Sequence, residues 1–113
     1  MSTASSLRTF LDGQISSRPI EREIIERIAN ALRDAGTPIV KIWDSEEWTE
    51  VSTNQSILDV AFNLDELIVY TADSAGVFLV MGEKWDMLND YNVSLESALE
   101  PVNVWINERM DSE

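Results

Sequence analysis

The chain contains no cysteine and no histidine. Without cysteine there is no disulfide framework, no thiolate metal site and no thiol nucleophile. Without histidine the usual general base and the commonest metal ligand are both missing. Basic residues are scarce: 8 Lys+Arg stand against 21 Asp+Glu, a net charge of −13. That balance argues against direct nucleic-acid binding through a basic face. The four glycines, at positions 13, 36, 76 and 82, are isolated from one another, so no loop is built to cradle a phosphate. There is no G-x-S-x-G, and the only lysines, Lys41 and Lys84, lie outside any S-x-x-K setting. The apolar runs at Leu67–Tyr70 and Val77–Met81 are far shorter than the ~20 residues a membrane span needs. The first residues carry neither a basic segment nor the apolar run of a signal peptide, and no lipidation signal is present. The expectation is a soluble cytoplasmic protein that needs no cofactor, touches no membrane and is not an enzyme.

What the chain does contain is ordinary globular composition. It has 113 residues, 44% hydrophobic and 26% charged, enough for one domain with a real core and no staples. Residues 1–113 read as a single domain. Residues 1–16 are a short helix over Ser5–Leu11, ended by Gly13, or a loosely packed arm. A long helix follows, capped by Ser16 or Ser17, with Pro19 in its first turn. Ile20, Ile24, Ile28, Leu32 and Ala35 recur at helical spacing, and Gly36 and Pro38 stop it. Ile39–Trp43 and Trp48–Ser52 form a hairpin around residues 44–47, which sets Trp43 opposite Trp48. Thr53 or Asn54 caps a helix over Gln55–Phe62, with Asn63 as its stop. A second hairpin pairs Glu66–Thr71 with Val77–Met81. Both strands are almost continuously apolar, as a central buried pair would be, and Asp73 to Gly76 supply the turn. A short helix covers Glu83–Asn89. The last element starts near Ser94 and holds Leu95, Ala98, Leu99, Val102, Trp105, Ile106 and Met110 in one helical phase. Pro101 sits inside that phase, so one kinked helix is expected.

The expected fold is therefore α+β: an antiparallel sheet of about four strands, made of two hairpins, with a long N-terminal helix, a middle helix and a kinked C-terminal helix packed on it. A parallel arrangement stays open, since the middle helix with its flanks could bridge strands two and three.

Charge is divided along the chain. Residues 1–42 hold six bases and five acids, whereas residues 43–113 hold two bases and sixteen acids. This acid excess has three readings: solubility, adaptation to high salt, and mimicry of a phosphate backbone on a surface that occupies another protein's nucleic-acid site. The undiminished bulky apolar content counts against the second reading. A solvation role does not require one-sidedness, which favours the third. The candidate contact residues are Asp44, Glu46, Glu47, Trp48 and Glu50 at the first hairpin tip, with Asp65, Glu66 and Asp73 behind them. Carboxylates there would meet Lys and Arg of a partner, and Trp48 would anchor. A metal at the tip is not expected, because the loop lacks the glycine and the length of a calcium loop.

The segments Lys41–Val51, Asn63–Glu66, Val80–Gly82 and Asp90–Asn92, with Leu99 and Pro101 in an acidic helix, resemble a pattern in small uncharacterised accessory proteins of tailed phages and prophages. In that pattern an acidic hairpin tip precedes a helix and an acidic step into the next strand. Ser45 stands where the pattern has glycine. The resemblance covers residues ~20–110 and implies an accessory protein with no catalytic residues to carry over, acting in the host cytoplasm. Phage inhibitors of host defence and nucleic-acid enzymes include DNA mimics of this size and charge. The alternative is a homo-oligomeric assembly protein with a merely solubilising surface.

Overall fold

A computed structural model gives the fold; it describes the backbone of residues 2–112 and the side chains of residues 18–112. The first element, α1 (Ser2–Asp34), is one continuous helix. It passes through Gly13 and Pro19, so the expected break between two helices is absent. Gly weakens a helix interior and Pro removes one hydrogen bond, but neither stops a helix unless a turn follows. The turn comes at Gly36, with φ of +82° and an N–H to the Arg33 carbonyl. Ile24, Ile25, Ile28, Ala29 and Leu32 form the buried face of α1.

β1 (Ile39–Trp43) and β2 (Trp48–Glu50) form the first hairpin, with Trp43 opposite Trp48 as expected. α2 (Asn54–Ala61) follows. Its cap is a reciprocal pair: Thr53 Oγ1 accepts from the Ser56 N–H, and Ser56 Oγ accepts from the Thr53 N–H. Replacing Thr53 by Ala is expected to cost about 1 kcal/mol, read as a lower midpoint in urea unfolding.

β3 (Glu66–Thr71) and β4 (Gly76–Val80) make the second hairpin. β1 pairs antiparallel with both β2 and β3, so every pairing in the sheet is antiparallel, while β2 and β3 run in the same direction on either side of β1 and α2 carries the chain across from one to the other. The segment expected as a helix over Glu83–Asn89 is instead a 3-10 turn, Lys84–Asp86, then a fifth strand, β5 (Leu88–Tyr91), antiparallel to β4. Its Asn89 and Asp90 are poor strand formers, so tertiary pairing decides. The strand order is β2-β1-β3-β4-β5. After a 3-10 turn at Val93–Leu95, α3 (Glu96–Ser112) runs unbroken through Pro101. Leu99, Val102 and Ile106 are buried, while Met110, expected inward, is exposed.

Burial alternates along the strands. Ile42, Leu67, Val69, Val77 and Leu79 join α1, α2 and α3 in one core. The intervening residues point the other way, because successive strand side chains alternate between faces. All three helices thus pack on one face of the sheet, and among the described residues no helix covers the opposite face.

Candidate functional site

The uncovered face is built by the strand registers. Trp48 lies opposite Trp43, Trp43 opposite Ile68, Ile68 opposite Phe78, and Phe78 opposite Asp90. A single row of side chains therefore crosses all five strands, apolar on four of them and ending in a carboxylate. The neighbouring row, on the side away from the hairpin tip, is Glu50, Lys41, Tyr70 and Gly76. On the tip side lie Glu66 and Val80.

The aromatic members are locked together. The Trp43 and Trp48 ring centroids are 4.7 Å apart, and Trp48 meets Tyr70 edge-on at 5.1 Å. Lys41 Nζ sits 4.2 Å from the Trp48 centroid, a cation–π contact that fixes the ring from below. Trp48 is still 49% exposed, while Trp43, Ile68, Tyr70, Phe78 and Val80 are half-buried. Gly76 is required by close approach: a Cβ there would lie 3.0 Å from both Tyr70 Cε1 and Ile68 Cγ2. Its missing side chain lets Tyr70 lie flat on β4. Two shallow depressions flank the row. One, of about 220 Å³, is lined by Trp43, Ser45, Glu66, Leu67, Ile68 and Phe78. The other, of about 240 Å³, lies between Tyr70, Gly76, Phe78, Asp90 and Asn92.

The candidate contact residues divide. Glu46, Glu47, Trp48, Glu50 and Glu66 gather around the β2–β1–β3 end of this face. Glu46 and Glu47 are exposed at the tip. Asp65 is exposed just before β3, and its carbonyl accepts from the Met81 N–H. Asp73 is not brought to them. It lies in the β3–β4 turn at the opposite end of the sheet, where its carboxylate accepts from the Thr71 hydroxyl.

Asp44 is engaged in its own turn. Its Oδ1 accepts from the Glu47 N–H at 2.8 Å and the Glu46 N–H at 2.9 Å, with Ser45 at φ +83° between them. These donors, the Glu47 N–H first, stabilise the charged form and hold its pKa below the ordinary 3.8. A lowered native pKa means stability that is present above the unfolded value and lost as pH falls through the native one. The Asp44→Asn variant is therefore expected to be less stable than the parent at neutral pH. The gap should close well below pH 3.8, as read from paired urea titrations.

Among the described residues, the two ion pairs both lie on α1, Arg22 with Glu26 and Arg27 with Glu23. Glu46, Glu47, Glu50 and Glu66 are in none. No group of three or more metal-ligating side chains is present among the described residues. No helix among them is long and apolar enough to cross a membrane.

Sequence reasoning missed Ile68, Tyr70 and Phe78 as surface residues, because a near-continuous apolar strand reads as buried on both faces. It also missed Glu21. This α1 carboxylate is 2% exposed and accepts from the backbone N–H groups of Gly82 and Lys84, each at 2.8 Å. Its signal was present: Glu21 is three, four and seven residues before Ile24, Ile25 and Ile28, so it shares their inward face.

The chain matches no known protein family, no curated protein and no solved structure.

Proposed function

We propose that this protein is a non-catalytic binding module that engages a protein partner through the uncovered face of its sheet. The observation that carries this reading is the apolar row of Trp48, Trp43, Ile68 and Phe78 across four adjacent strands. A contiguous apolar surface bordered by polar groups is the anatomy of an interface, with tryptophan and tyrosine at its centre. The carboxylates Glu46, Glu47, Glu50 and Glu66 form the polar border, in no ion pair among the described residues, and favour a partner with a basic surface. The resemblance to phage and prophage accessory proteins fits such a role, with a host or phage protein as the partner in the host cytoplasm. An array imitating duplex DNA is not what supports the reading. The acids of residues 43–113 are spread among the tip, the β3–β4 turn at Asp73, Asp59 on α2, and Glu96, Glu100 and Glu108 on α3.

The test is affinity capture from bacterial lysate with the parent, with Ile68→Glu, and with Glu100→Lys on α3. The reading expects a discrete protein retained by the parent and by Glu100→Lys but lost with Ile68→Glu. Equal retention by Ile68→Glu would count against the face.

A further inference from the structure

The face has a shape and a charge pattern that select its occupant. We infer that it receives a cationic amphipathic helix of the partner protein, a conclusion that rests on the reading of this face as the binding surface. The apolar row crosses four strands, and three inter-strand spacings of about 4.8 Å make it about 14 Å long. A helix rises about 1.5 Å per residue, so about 10 residues laid along the row span it, and apolar side chains at i, i+3 or i+4, i+7 and i+10 or i+11 come to Trp48, Trp43, Ile68 and Phe78. Across that helix the face extends along the strands, and the six residues of β3 span about 17 Å, which accommodates a helix of about 10–12 Å diameter.

The borders fix the charge of that helix. One side of the row carries Glu50. The other side carries Glu66, with Glu46 and Glu47 on the adjoining tip. Asp90 closes the far end. Positions two apart along a strand are separated by about 7 Å, within reach of a Lys or Arg stem on the helix flank. The one basic residue among these rows, Lys41, is held against Trp48. A second copy of this chain would set the same carboxylates against each other, between bodies each carrying −13, and like charges across an interface are penalised. Nucleic acid would be repelled by the same groups.

The experiment uses the full chain, labelled with nitrogen-15. It is titrated with three synthetic peptides of about 18 residues, which share leucines at helical spacing and carry Lys, Gln or Glu at the other positions. The inference expects the Lys peptide to bind with amide shifts centred on Trp43, Trp48, Ile68 and Phe78. It should bind at least about tenfold more tightly than the Gln peptide, with the advantage shrinking as salt is added. The double variant Glu50→Lys, Glu66→Lys, with unchanged circular dichroism, should lose that advantage. Equal affinity for Lys and Gln peptides at this face would overturn the cationic occupant and leave the face itself standing. Shifts centred on α1 or α3 would overturn both. Failure of all three peptides to bind would overturn the helical occupant, while the Ile68→Glu capture result would still decide the face.

Discussion

Replacing Glu21 by Ala is expected to lower the unfolding free energy by about 3 kcal/mol, the worth of two hydrogen bonds to a buried charged group. The reason lies in the turn that Glu21 holds. Gly82 has φ of +90° and Lys84 φ of +53°, so the backbone there is folded into a concavity whose N–H groups converge on one oxygen. Lys84 is held in a region that side-chain-bearing residues avoid, at a cost of about 1–2 kcal/mol. With Ala at position 21 both N–H groups lose their acceptor inside the protein. The turn also leads into Met87, which is fully buried, and then into β5, so its loosening weakens the edge of the sheet. Both bonds go to the same atom, Oε2. Glu21→Gln can therefore keep an oxygen in that place, and about half the loss is expected to return. Urea unfolding followed by far-ultraviolet circular dichroism gives the free energies. A Glu21→Ala variant within about 0.5 kcal/mol of the parent would mean that the turn does not depend on the carboxylate.

Neighbouring residues of β4 are expected to behave oppositely. Leu79 is 1% exposed in the core, and Leu79→Ala should cost about 3–4 kcal/mol through lost burial and the cavity left behind. Phe78 points to the other face, opposite Ile68, and is half-buried there. Phe78→Thr should cost about 1 kcal/mol, because only part of its apolar area leaves contact. On the proposed reading the ranking reverses for function: Phe78→Thr impairs capture of the partner, and Leu79→Ala does so only to the extent that it unfolds the chain. Similar stability losses for the two variants would show that both faces of the sheet are core, which would remove the surface on which the proposal stands.

Much of the fold was legible because local signals and tertiary packing agree. The buried stripe of α1, the Thr53 cap of α2, and the two hairpins with Trp43 opposite Trp48 all follow from periodicity, capping and turn chemistry. The misses have physical causes. Gly13 and Pro19 are weak stops without a turn behind them. Asn89 and Asp90 join a strand only because β4 offers an edge. Pro101 left the last helix continuous, as the unbroken apolar phase indicated. For the candidate site, the tip carboxylates and Trp48 were legible from the Trp43–Trp48 hairpin, since one hairpin brings them together. The rest of the face was not. Ile68, Tyr70 and Phe78 lie inside runs whose inward and outward members are equally apolar, so alternation carried no contrast. The division of charge along the chain did not become a division in space, because α3 and the β3–β4 turn carry their acids away from the first hairpin.

The claim that this face is kept for a partner is tested most directly by sedimentation of the purified chain at micromolar concentration. A monomer of 12.8 kDa is expected at low salt, where the carboxylates around the apolar row disfavour its pairing with itself. A stable dimer that dissociates on Trp48→Glu or Phe78→Glu would contradict it, because the face would then be covered by a second copy of the same chain.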